Sequence, residues 1–112
     1  MTDQDIFQKL VELKELGIPA VLATIVDAVG STPREVGAKM IVCADGTLYG
    51  SIGGGCGESR IKSAALRCIL KTKKPELLEI DLTEDLGTKG GDVCGGKMWT
   101  FVEPMLFLKR NI

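Results

Sequence analysis

Histidine is missing altogether from the 112 residues of the chain, which excludes Ser-His-Asp and Cys-His nucleophile machinery and every metal site that needs an imidazole. Acid–base chemistry is left to Cys, Asp, Glu, Lys or water, and no resident metal ion is expected. Aromatic residues are scarce, at 4%, so the core has to be built from Ile, Leu, Val, Met and Ala, and base-stacking surfaces are not expected. Neither charge is in excess: 14 basic and 15 acidic residues leave a net −1, without the broad positive field of a nucleic-acid binder. Any bound anion must be gripped locally. The four cysteines, Cys43, Cys56, Cys68 and Cys94, form no C-x-x-C pair of the redox or zinc-ribbon kind. No apolar run is long enough to cross a bilayer. The opening Met1-Thr2-Asp3-Gln4-Asp5 is acidic and polar, unlike a secretory signal, so a cytoplasmic protein with reduced thiols is expected.

What the chain does have is apolar residues, at 45%, enough for one core and one domain over residues 1–112. Apolar positions Ile6, Phe7, Leu10, Leu13 and Leu16 predict a first helix, with Thr2 or Asp3 as cap and Gly17 then Pro19 as stop. Ala20 to Val26 is an aliphatic run without alternation, which predicts a central strand covered on both faces. A loop rich in turn formers follows, Gly30-Ser31-Thr32-Pro33-Arg34-Glu35-Val36-Gly37. Strands over Ala38–Cys43 and Thr47–Ile52 then flank Ala44-Asp45-Gly46 and predict a hairpin, with Asp45-Gly46 as the preferred two-residue turn. From Ser59 to Lys73, Ile61, Ala64, Ala65, Cys68, Ile69 and Thr72 mark one face of a second helix, ended by Pro75. Leu77–Leu82 and Lys97–Glu103 read as strands, the last stopped by Pro104, with a polar loop from Thr83 to Gly91 between them. This order predicts an α+β fold: a mixed sheet of about five strands with two main helices packed on it.

Two glycine clusters carry the candidate chemistry. The first, Gly50-Ser51-Ile52-Gly53-Gly54-Gly55-Cys56-Gly57-Glu58, runs from a strand into a helix. There bare backbone approaches a ligand and the free N–H groups of the helix start favour an anion. It is not a dinucleotide fingerprint, because Glu58 replaces the last glycine counted from Gly53. The second, Gly90-Gly91-Asp92-Val93-Cys94-Gly95-Gly96, falls short of a P-loop, because Met98 replaces the magnesium-binding Ser or Thr and a strand follows. Cys56 is either a thiolate favoured by the helix's positive end or a small residue filling a turn, and Cys94 has the same two readings. Cys43 and Cys68, on a strand and on an apolar helix stripe, read as small hydrophobes. Arg34 is either a bidentate anion grip or a solvated loop side chain. Lys39 and Lys97 are edge charges or further anion contacts. Glu58 reads as a first-turn carboxylate before it reads as an acid–base group.

Taken in order, Gly30-Ser31-Thr32-Pro33-Arg34, Gly37-Ala38-Lys39-Met40, the first glycine cluster, Cys94-Gly95-Gly96 and Glu103-Pro104 resemble the XdhC/CoxI family of xanthine dehydrogenase accessory proteins, over nearly the whole chain. The resemblance implies a maturation factor, which need not turn over substrate itself, that binds molybdenum cofactor transiently and assists its sulfuration and insertion into a xanthine dehydrogenase-like molybdenum hydroxylase. It implies cofactor binding at Arg34, Gly53, Gly54, Gly55, Cys56, Cys94, Gly95 and Gly96, with Cys56 and Cys94 as the reactive groups. Molybdopterin carries a phosphate, a dithiolene and an oxo-metal, which suit backbone N–H groups, a guanidinium and soft thiols. Implied partners are the hydroxylase, a cysteine desulfurase, a homo-oligomer and a separate Rossmann-like subunit, since many relatives continue into such a domain. Gly57 stands where a larger apolar residue is expected. Two alternatives stay open on the residues alone: a sulfur-relay or redox protein using Cys56 and Cys94, and a docking module without chemistry. The cofactor reading requires Cys56 and Cys94 to meet in one pocket.

Overall fold

The computed structural model describes residues 1–32, 34–52, 55–82 and 95–105, with the side chains of Gly55 and Cys56 excepted. Helix α1 (Asp3–Leu16) starts with a capping box. The Thr2 hydroxyl accepts the Asp5 N–H at 3.1 Å and the Asp5 carboxylate accepts the Thr2 N–H at 2.9 Å, satisfying two donors that a helix start leaves open. Gly17, at φ 70°, closes it. Five strands follow, β1 (Ala20–Val29), β2 (Lys39–Cys43), β3 (Leu48–Gly50), β4 (Glu76–Asp81) and β5 (Lys97–Met105), with helix α2 (Gly55–Arg67) between β3 and β4. Their order in the sheet is β3-β2-β1-β5-β4, so β1 is central, as its unbroken apolar run predicts.

The α+β class, the five strands and the two helices match expectation; the expected mixed pairing is corrected. Every pair is antiparallel. A parallel pair needs a crossover between neighbours, whereas α2 carries the chain from one edge strand, β3, to the other, β4, and β5 then inserts antiparallel to both β4 and β1.

Boundaries also move: β3 is shorter than the expected Thr47–Ile52 and α2 begins at Gly55, before Ser59. β1 passes Val26 and runs to Val29, through an irregularity between Ile25 and Asp27 that leaves Val26 as the extra residue. β5 runs through Pro104 to Met105, because β4 reaches only as far as Glu76 opposite Val102. Beyond that point no strand among the described residues pairs with that side of β5, and a missing N–H facing it costs no ladder bond there. The hairpin turn spans three residues, with Gly46 N–H bonded to the Cys43 carbonyl and Gly46 at φ 90°, the geometry a left-handed third residue produces.

Each sheet face has its own apolar cluster. Val21, Ala23 and Ile25 of β1, with Met40, Val42, Ile80, Met98 and Val102, pack against Ile61, Ala65, Cys68 and Ile69. On the opposite face Leu22, Ile41 and Cys43 pack against Ile6 and Leu13 of α1. Phe7 and Leu16 are exposed, because α1 turns only one narrow stripe to the sheet. The helical stripe of α2 holds as far as Ile69, but Thr72 is exposed. A π-helical turn over Cys68–Thr72 widens the winding and rotates that position outward. No helix among the described residues is long and apolar enough to cross a membrane.

Two predictions arise from this core. Thr100 is fully buried and its hydroxyl has no hydrogen-bond partner among the described residues. Thr100→Val keeps the shape and the β-branching while removing a desolvated hydroxyl, and is expected to stabilise the protein by about 1 kcal/mol, raising Tm by about 4 °C in a thermal melt.

Cys43 is 2% exposed, and burial, then the Asp45 carboxylate, pushes its thiol pKa up. A folded-state pKa above the unfolded one contributes stability that is full below the unfolded pKa and is lost as pH rises past it. Urea unfolding should therefore show stability falling above about pH 8.5–9, with a shallower fall in Cys43→Ala.

Candidate anion-binding cleft

β1 and β2 are joined by residues 30–38, whose feet are tied by Gly37 N–H to the Ile25 carbonyl (2.7 Å) and Ile25 N–H to the Ala38 carbonyl (3.0 Å). Thr32 Oγ1 donates to the Arg34 carbonyl at 3.0 Å, shaping the tip so that Arg34 stands exposed. Among the described residues no carboxylate forms an ion pair with its guanidinium.

Below Arg34 lies a cleft of about 360 Å³, reached also by Lys39, Gly50 and Ser51. Gly50 ends β3 at φ 79°, and a Cβ there would lie 2.7 Å from the Lys39 carbonyl oxygen and 2.9 Å from Ile6 Cδ1. Only glycine lets the chain press against both β2 and α1 before turning toward α2. Ser51 Oγ donates to Glu58 Oε2 at 3.1 Å, so the Glu58 carboxylate steadies the turn from the first turn of α2.

Lys39 is the more enclosed cation. Its side chain is 15% exposed, and Nζ donates to Asp3 Oδ2 at 3.1 Å and to the Gly37 carbonyl at 2.9 Å. An ammonium held to one carboxylate and one carbonyl at a cleft wall offers its third proton to a bound anion. Asp3 is the member of this group that the sequence offers only as a helix-cap candidate. An acidic residue in a helix's first turn is already explained by the helix dipole, and nothing local signals its partner 36 residues away.

The last two residues of the second glycine cluster, Gly95 and Gly96, meet the same loop at its base. Leu82 N–H bonds to the Gly96 carbonyl at 2.9 Å. A Cβ on Gly96 would collide with the carbonyl oxygens of Ser31 and of Val29, the latter at 2.6 Å. Gly30, at φ 73°, is crowded to a lesser degree, since a Cβ there would lie 3.1 Å from the Gly95 carbonyl oxygen. Gly96 therefore serves backbone-to-backbone packing at the base of the Arg34 loop, whereas Gly95, where a Cβ would meet nothing within 4 Å, answers to its φ of 73°. Gly57, buried in α2, admits Met98: a Cβ there would be 3.0 Å from Met98 Cε.

Of the other candidate residues, Gly55 opens α2 and Cys56 sits in its first turn, with its thiol outside the described residues. Gly53, Gly54 and Cys94 also lie outside them, and so does the expected meeting of Cys56 with Cys94. Cys43 and Cys68 are buried, and Cys68 Sγ donates to the Lys74 carbonyl at 3.1 Å, as expected of structural thiols. Among the described residues no group of three Cys, Asp or Glu side chains could hold a metal ion.

Comparison with known proteins adds three findings. The model of the XdhC and CoxI family matches residues 13–81. The chain is 38% identical over 98 residues to the Escherichia coli (strain K12) protein named Uncharacterized protein YqeB, a match covering 88% of this chain and 18% of that protein. It is similar to a crystal structure from Bacillus halodurans described as a xanthine dehydrogenase, with a TM-score of 0.80 and 32% identity, over 93% of this chain and 30% of that one. The chain thus spans less than a third of the length of either relative.

Proposed function

The chain belongs to the XdhC and CoxI family, and from that premise we propose that it is an accessory factor for a xanthine dehydrogenase-like molybdenum hydroxylase, binding molybdenum cofactor through the Arg34–Lys39 cleft. The observation that carries this reading is the convergence of two cations on one cleft whose floor is a glycine that tolerates no side chain. The donor set fits the cofactor. A guanidinium and an ammonium suit its phosphate, and Gly50, which has no side chain, leaves bare backbone at the cleft for the flat pterin.

In this reading Arg34, exposed on its loop, reaches the anion first, and Lys39, fixed by Asp3 and the Gly37 carbonyl, sets where the anion rests. Cys56 and Cys94 are the soft donors assigned to the metal end. When bound, the cofactor supplies the molybdenum and its dithiolene; this chain supplies binding and orientation. Sulfuration, insertion, a cysteine desulfurase partner and self-association belong to the same proposal.

The test is anaerobic gel filtration of the purified chain with molybdenum cofactor, followed by metal analysis of the protein peak. Molybdenum should co-elute with the protein, and a peak free of molybdenum would overturn the reading.

A further inference from the structure

The same sheet face that carries Lys39 continues, away from α1, into an apolar patch that neither core cluster includes. Lys39, Thr24, Phe101 and Leu77 are successive partners across β2, β1, β5 and β4. With strands about 4.8 Å apart, Phe101 lies about 10 Å from Lys39. Beside Phe101 on β5 stands Trp99, the only tryptophan of the chain, paired with Asp27 and Glu79.

α1 covers the start of β1 and the end of β2 but not this region, and α2 lies on the opposite face. Leu77 is 58% exposed and Val29 52%, and Trp99 and Phe101 are half-buried within the plane of strands. In a chain with five aromatic residues, two stand side by side on this face. Around them are the carboxylates of Asp27, Glu79 and Glu103, with Lys97 drawn toward Asp81 (3.8 Å) and Glu79 (4.0 Å).

We infer that this face of β1, β5 and β4 is the docking surface for the hydroxylase that receives the cofactor, through an apolar patch rimmed by Lys and Arg on that enzyme. The inference rests on the accessory reading above. A protein that hands over a bound molecule must seat the recipient beside the cleft, and this patch is continuous with the cleft along one row of residues. The acidic frame selects the partner. A second copy would oppose carboxylates to carboxylates, whereas a basic rim is attracted, with aromatic side chains as the central anchors.

The test measures binding of the full chain to cofactor-free xanthine dehydrogenase by surface plasmon resonance, with cofactor retention in gel filtration as a parallel readout. Phe101→Glu and the surface change Glu79→Lys should each weaken binding by about tenfold or more, with cofactor retention unchanged and wild-type affinity falling as salt rises. Glu79→Lys keeps the test decisive should Phe101→Glu not fold. The inference is overturned if both variants bind as wild type does, if the wild-type chain binds no hydroxylase, or if the variants instead dissociate a homodimer of this chain in analytical ultracentrifugation. Loss of cofactor retention by the wild-type chain is a separate result, and it removes the accessory reading itself.

Discussion

Gly96→Ala is expected to destabilise the protein by about 3–4 kcal/mol, close to the upper end for a single substitution. The reason is local and steric. A methyl group at this position would fall on the carbonyl oxygens of Val29 and Ser31, and both are backbone atoms that cannot rotate away. Val29 is the last residue of β1, paired with Lys97, and Gly96 also accepts the Leu82 N–H. Relieving the clash would thus open the end of a central strand pair or break that hydrogen bond. Urea unfolding provides the measurement. A loss below about 1 kcal/mol would show that the loop yields without cost, contrary to the packing described.

The second large effect concerns ligand affinity. Arg34→Ala should weaken cofactor retention by about ten- to a hundredfold, the range of a charge-assisted hydrogen bond worth about 1.5–3 kcal/mol. Because Arg34 is exposed and has no ion-pair partner among the described residues, its loss should shift stability by less than about 0.5 kcal/mol. Affinity and folding are thereby separated. Asp3→Asn provides the opposite control. It frees the Lys39 ammonium from its carboxylate partner at 3.1 Å, so retention should hold or tighten. Weaker retention in Asp3→Asn would mean that the positioning of Lys39 by the carboxylate outweighs its competition with the anion. Equilibrium dialysis of molybdenum under anaerobic conditions measures all three proteins on one scale.

Local chemistry was legible where one residue type satisfies one local need. Thr2 and Asp5 cap α1, Gly17 ends it, and Gly46 turns the hairpin. Each follows from hydrogen-bonding groups or backbone torsions within a few residues. The central position of β1 was legible too, since an aliphatic run from Ala20 has no face to offer to water. The end of β5 was misjudged because proline's cost depends on whether a neighbour strand needs its missing N–H. At Pro104 β4 has already ended. The same holds for Thr72, whose exposure follows from a π turn with no periodicity of its own to announce it.

The candidate site divides along the same line. Arg34 and the glycine-bounded turn at Gly50 could be singled out from residue types, because guanidinium chemistry and side-chain absence are properties of single residues. That Lys39 is held by Asp3, that Gly96 lies under the Arg34 loop, and that Phe101 shares a row with Lys39 are relations between distant segments. By itself the sequence determined the element types, the caps and turns, the family and the kind of group able to grip an anion, all of which depend on side chains and near neighbours. Only the tertiary structure decided the antiparallel order β3-β2-β1-β5-β4 and the register that sets cleft and aromatic patch on one face. Strand pairing is a contest among long-range contacts, and no local pattern encodes its outcome.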